Sequence, residues 1–169
     1  MTVSEPLQPL APLRPSVRFM LSHPAHFVAL GFGAGLAKAT GGRIRLLNVM
    51  DPLAHISGFE RPDVYSQEVL PRLRQAGDAL LRRAQERVAQ SGVPVDTVLI
   101  ENLDARVADL VVEHAKTWGA DLIVLGTHGR RGLARVLMGS DAEQIARTAP
   151  VPVLLVRLPA GADGSAANA

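Results

Sequence analysis

Five short apolar runs, at 17–21, 43–49, 95–101, 122–125 and 151–157, alternate along the chain with four stretches of helical periodicity. This order constrains the fold more than any other feature. A strand followed by a helix and another strand closes into a sheet only through right-handed crossovers, so the pattern implies an α/β domain. The expected architecture is a doubly wound, five-stranded, mostly parallel sheet with helices on both faces. The plainest run is Leu122–Leu125, apolar at every position between Asp121 and Gly126. Such a run belongs to a strand buried on both faces, as parallel strands are. Ligands of these sheets bind beyond the carboxyl ends of the strands, where the strand order reverses.

The helices follow from period and punctuation. After the first strand, Val17–Leu21, residues Ser22–Pro24 turn the chain into a helix from about Ala25 to Thr40, which Gly41-Gly42 end. Gly31, Gly33 and Gly35 within it do not complete a dinucleotide fingerprint and are read as close helix–sheet packing. Arg43–Val49 forms the second strand, and a loop from Met50 runs through His55, Gly58 and Pro62. The longest pattern, Tyr65 to Gln90, repeats Leu70, Leu73, Ala76, Leu80, Ala84 and Val88 at three and four residues. Pro71 makes this helix kink or begin there, and Gly77 costs it about 1 kcal/mol against alanine. Arg72, Arg74, Arg82, Arg83, Glu86 and Arg87 form its solvated face. Gly92 and Pro94 break the pattern before the strand Val95–Glu101. Asp104 then caps a helix to Trp118, with Val107, Leu110, Val111 and His114 on one face, and Gly119 ends it. His114 is expected to be a packed, hydrogen-bonded histidine. The domain spans 17–158. Residues 1–16, with four prolines and no period, read as an extended arm, and 159–169 as a loose tail.

Composition narrows the function. At 169 residues and 47% hydrophobic, the chain fits one globular domain. Aromatic residues are only 4%, so the core is aliphatic and no stacking platform for bases is present. A net charge of +2, with both signs mixed, argues against a nucleic-acid partner. The absence of cysteine removes disulfides, thiol chemistry and Cys-ligated zinc. No segment has the basic-then-apolar form of a signal peptide or the length of a membrane span, so a cytoplasmic protein without a membrane partner is expected.

The stretch Asp121–Arg157 carries the functional reading. Gly126 and Gly129 are separated by two residues, and after nine more, Arg130 to Met138, Gly139-Ser140 open a helix. Glycines admit close approach to the backbone, and a helix N-terminus offers free amides and partial positive charge, a combination suited to phosphate. The spacing G-x2-G-x9-G-S, followed by a short helix and PVPVLLV, resembles the nucleotide-binding signature of the universal stress protein family. The resemblance covers about residues 17–157. It implies strand order 3-2-1-4-5 and ATP or a related adenine nucleotide as regulatory ligand. Gly126, His128, Gly129, Gly139 and Ser140 would cradle ribose and phosphates, with Thr127 in the same loop and Arg130 neutralising charge, while Val49 would lie against the adenine. The resemblance also implies a homodimer through antiparallel pairing of the last strand, Val151–Arg157. Pro152 lacks a donor, so that pairing should centre on Val153–Val156.

One departure opens a second reading. Family members carry an acid-glycine-serine turn after the first strand, where this chain has Leu21, Ser22 and His23. With no carboxylate at Leu21 the pocket would be disabled, and the protein would act as a dimeric interaction module with a protein partner. Ser140 and Glu143 also form a capping-box pattern, which satisfies helix amides without a ligand. Enzymatic chemistry is not expected. No lysine follows Lys116, so there is no Walker A loop, and Ser140, His128 and Asp141 lack the order of a triad. His23 and His26 have no third ligand for a metal.

Overall fold

A computed structural model describes residues 18–22, 27–50, 65–102, 105–126 and 139–157. Five strands, β1 (Arg18–Ser22), β2 (Arg43–Met50), β3 (Val95–Glu101), β4 (Leu122–Gly126) and β5 (Val153–Val156), form one sheet in the order β3-β2-β1-β4-β5. Every neighbouring pair is parallel. The helices between them are α1 (Phe27–Thr40), α2 (Leu70–Ala89), α3 (Val107–Trp118) and α4 (Ser140–Thr148). The arm 1–16, the loop from Asp51 and the tail from 159 lie outside the described residues.

The period-two alternation of a strand sorts residues between two cores. From β2, Ile44 and Leu46 face α1 and α2, where they join Ala29, Leu30, Ala37, Leu81, Ala84 and Val88. Leu47 and Val49 face α3 and α4, packing with Ala108, Val111, Ala115, Ala142 and Ile145. Residues such as Leu30, Leu47 and Ile123, at most 1% exposed, each contribute about 1.5–3 kcal/mol on burial.

Helix ends follow the glycines. Gly41 (φ 63°) and Gly119 (φ 68°) adopt the left-handed conformation that a side chain resists. The next amides, of Gly42 and Ala120, bond back to the carbonyls of Ala37 at 2.8 Å and Ala115 at 2.9 Å, closing both helices in Schellman fashion.

Several local expectations need correction. Ser22 is the last residue of β1 and not part of a turn, because it is ladder-paired with Leu47 on one side and Leu125 on the other. The helix after β2 changes pitch where Pro71 removes an N–H: Tyr65–Val69 forms a π-helical turn and the α-helix starts at Leu70. Its buried stripe is Gly77, Leu81, Ala84 and Val88, whereas Ala76 is exposed and Leu80 half-buried. Gly77 is a packing requirement, since a Cβ there would stand 2.8 Å from Leu99 Cδ1 and 3.2 Å from Asn48 Nδ2. The glycines of α1 do the reverse. Gly33 is buried, but Gly31 and Gly35 are exposed, and a Cβ on either meets nothing within 4 Å.

Asp104 lies outside the described residues, and α3 has Arg106 as its N-cap with no side-chain cap. The preceding turn is held instead by Asn102, which is 5% exposed. Its side chain accepts from Ala105 N at 2.9 Å and donates to Ala105 O at 2.6 Å.

Candidate functional site

The two halves of the sheet wind in opposite directions from β1, so the reversal of strand order lies between β1 and β4. Ser22, the end of β1, pairs there with Leu125, one residue before β4 ends at Gly126. The core cluster that includes Val49, Leu125 and Ala142 ties three candidate elements to this crevice: the end of β2, the end of β4 and the first turn of α4. Val49 is 6% exposed and Gly126 half-buried. Gly139 and Ser140 are exposed at the tip of α4. Thr127, His128, Gly129 and Arg130 lie outside the described residues, as do His23 and His26.

The capping box is not formed. Gly139, not Ser140, is the N-cap, and no side chain caps the helix. The first helical bond runs from Glu143 N to Gly139 O at 3.0 Å, leaving the amides of Ser140, Asp141 and Ala142 ahead of the ladder without an intrahelical acceptor. Glu143 turns outward instead, accepting from Arg147 Nη2 at 2.8 Å and Nε at 3.2 Å. The register is off by one: a cap must lie outside the helix, and Ser140 is already inside it.

Gly139 has φ −55° and ψ 145°, which any L-residue adopts, and a Cβ there meets nothing within 4 Å. Among the described residues neither backbone conformation nor packing demands glycine there. Among the described residues no side chain caps the three amides at the positive end of this helix, a donor set of the kind a phosphate group accepts from. Asp141 and Glu143 in the first turn oppose an anion, although the second is neutralised by Arg147.

A second polar cluster lies toward the other end of the sheet and was not legible as a unit in the sequence. Arg45 and Asp96 are register partners on β2 and β3. The guanidinium donates from Nε and Nη2 to the two carboxylate oxygens, at 2.8 and 2.7 Å, and stacks 4.6 Å from the Trp118 ring centroid. Hydrogen bonding to Arg45 holds the Asp96 carboxyl below its usual range against the opposing effect of burial. His114 contributes Nε2 at 3.4 Å from Arg45 Nη1. Burial, then the Arg45 charge, lowers the His114 pKa, while Asp96 pulls it up. On the outer strand, Arg74 reaches from α2 to Glu101 with contacts of 2.6 and 2.8 Å. Arg74 thus fastens α2 to the edge strand β3, while Arg45 on β2 joins α3 on one side and β3 on the other.

Among the described residues no group of three His, Asp or Glu side chains could hold a metal ion. No helix among them is long and apolar enough to cross a membrane.

Residues 20–157 match the universal stress protein family. A universal stress protein of Methanocaldococcus jannaschii is 38% identical over 87 residues, covering 52% of this chain and 49% of that protein. One from Bacillus subtilis is 30% identical, covering 57% and 63%, and one from Thermus aquaticus is 32% identical, covering 72% and 82%. The matches thus span about half to four-fifths of these relatives' lengths. Among solved structures, a universal stress protein from Burkholderia pseudomallei is similar with a TM-score of 0.66 at 26% identity, covering 86% of this chain and 98% of that one. The fold is also that of a universal stress protein in complex with cAMP (TM-score 0.58, 20% identity, 85% and 98% covered). A third, from Archaeoglobus fulgidus in complex with dAMP, has a TM-score of 0.57 at 17% identity, covering 84% and 98%.

Proposed function

Because this chain belongs to the universal stress protein family, we propose that it binds an adenine nucleotide as a regulatory ligand at the carboxyl edge of β1, β2 and β4. The observation that carries this reading is the bare N-terminus of α4, where Gly139 supplies no capping side chain and three amides lack an intrahelical acceptor. Two solved relatives are complexes with cAMP and dAMP, which agrees with an adenosine phosphate as the ligand class. The amides of Ser140, Asp141 and Ala142 would hold a phosphate, and Val49 would border the base. Gly126 ends β4 where the backbone meets the ribose, and Thr127, His128, Gly129 and Arg130 would complete the loop. Charge-assisted hydrogen bonds of this kind contribute about 1.5–3 kcal/mol each. The ligand's role is to stabilise the state that binds it, by mass action, without turnover.

A second reading rests on Leu21. It sits within β1, paired with Leu46 and Val124, and brings no carboxylate to the sugar. One lost polar contact costs about 1–3 kcal/mol, or about one to two decades of affinity. In this reading the chain acts as a dimeric interaction module, pairing through the outer edge of β5, the last strand of the sheet.

Calorimetric titration with ATP, AMP and cAMP separates the two. Binding at or below the millimolar range supports the nucleotide reading; no heat with any of them at millimolar concentration leaves the interaction module. A Gly139→Asp variant tests the site itself. A carboxylate at the N-cap takes the free amides and repels phosphate, so affinity should fall at least tenfold. Stability should hold or rise by about 0.3 kcal/mol, the capping gain discounted for Asp141 and Glu143 nearby. Unchanged affinity would place the ligand elsewhere.

A further inference from the structure

A charged residue on an apolar strand face needs partners for its charge. Arg45 is such a residue: on β2 it shares a face with Leu47 and Val49, which are buried in the core beneath α3 and α4, and its own side chain is only 21% exposed. All three of its guanidinium nitrogens are engaged. Nε and Nη2 donate to Asp96 on β3, Nη1 faces His114 Nε2 on α3 at 3.4 Å, and Cζ lies 4.6 Å from the Trp118 ring centroid. His114 and Trp118 are four residues apart, so one face of α3 supplies both contacts. Arg45 therefore joins β2, β3 and α3 at once.

The partner fixes the chemistry of the His114 contact. A guanidinium has no acceptor, so its hydrogen bond to His114 requires a lone pair on Nε2 and places the ring proton on Nδ1. Protonation turns Nε2 into a donor and sets an imidazolium against a guanidinium across the same 3.4 Å. The other charged groups facing the ring do not offset this. Asp96 on β3 attracts an imidazolium, but both its oxygens already accept from Arg45, and Arg43 on β2 reaches Oδ2 at 3.4 Å. On α3 itself, Glu113 and Lys116 pair with each other at 3.8 Å. Burial and the Arg45 charge outweigh Asp96 and hold the ring below its ordinary pKa. The Asp96 carboxyl is held below the usual carboxylate range by Arg45, so it stays ionised while the ring titrates.

We propose that this cluster is an acid-sensitive clamp on α3, in which neutral His114 holds the helix to Arg45 and its protonation releases that arm while Arg45 stays on Asp96 and Trp118. The contact is complete above the ordinary imidazole value of about 6.5 and is lost as pH falls through the lower folded-state value. Below that point Arg45 still meets α3 through the Trp118 ring but no longer through His114. The clamp is independent of nucleotide.

The test follows the isotopically labelled full chain by NMR from pH 7.5 to pH 4.5. At pH 7.5 the His114 ring should be the Nδ1–H tautomer, with Nε2 unprotonated. As pH falls, the Arg45 Nε and Trp118 Nε1 resonances should move with the midpoint of the His114 ring, and that midpoint should lie below the ordinary imidazole value. Native-state hydrogen exchange at the amides of 115–118, corrected for intrinsic rates, should be faster at pH 4.5 than at pH 7.5 by about threefold or more, as loss of one modest hydrogen bond implies. His114→Gln keeps an acceptor and removes the titration, so in that variant the two resonances and the corrected exchange should not change. A wild-type ring protonated on Nε2 at pH 7.5 would overturn the proposal without recourse to any variant. So would a His114 titration that leaves Arg45 and Trp118 unmoved, or movements that persist in His114→Gln.

Discussion

Replacing Asp96 with asparagine removes one charge from the most fully connected polar cluster in the described fold. In the native protein Arg45 donates twice to Asp96, at 2.7 and 2.8 Å, while stacked on Trp118. Exposed ion pairs are worth about 0.2–1 kcal/mol, and hydrogen bonds to charged groups about 1.5–3. Asp96 is 34% exposed and Arg45 21%, so solvent screening brings the bidentate pair down to about 1–2 kcal/mol. For a chain of this size that corresponds to about 2–8 °C in Tm at neutral pH. The pH dependence has a definite sign. The folded-state pKa of Asp96 is depressed, so its stabilisation is present in full above the unfolded value of about 4 and is lost as pH falls through the folded value. Thermal unfolding of wild type and Asp96→Asn at pH 7, 5 and 3 should therefore give a constant gap at the first two and a smaller one at pH 3. The same substitution removes the group that pulls the His114 pKa up, so the His114 ring titration should move further down by NMR. An equal gap at pH 3 and pH 7, or none at pH 7, would mean that the Arg45–Asp96 pair does not stabilise the fold through the Asp96 charge.

Two further substitutions test packing and assembly. Gly77→Val drives a branched side chain into Leu99 and Asn48 and should destabilise by about 1–3 kcal/mol in denaturant titration, whereas Gly35→Ala, at an open and exposed helical site, should stabilise by about 0.5–1 kcal/mol. Leu154→Lys puts a charge on β5, an edge of the sheet, and should yield a folded monomer by light scattering and circular dichroism; a dimer that persists would exclude pairing through this strand.

The alternation of strands and helices was legible because buried parallel strands and glycine-closed helices leave signals within a few residues of themselves. Gly41 and Gly119 could be assigned to helix ends from sequence, and each adopts the positive φ that the role requires. Side-chain partnerships across the sheet were not legible. Arg45 and Asp96 are 51 residues apart, and only the β2–β3 register makes them neighbours. Helix propensity alone makes Gly77 a cost, because it carries no information about what stands over a helix, and here that is Leu99. The cap pattern of Ser140 misplaces the helix start by one position for the same kind of reason, since a serine with glutamate three residues on fits equally well when the helix begins one residue sooner. Asn102 leaves no mark in the sequence because its role is to clamp a turn, and Asp104 is a nearer capping candidate.

Amides at the tip of α4, and not a reactive side chain, are proposed to recognise the ligand. Backbone amide resonances of the uniformly labelled protein, followed during titration with ATP, test this at the residues concerned. Saturable shifts are expected at Ser140, Asp141 and Ala142, with Val49 shifting at the same ligand concentration. Shifts confined to other parts of the fold, or a spectrum unchanged at millimolar ATP, would contradict it.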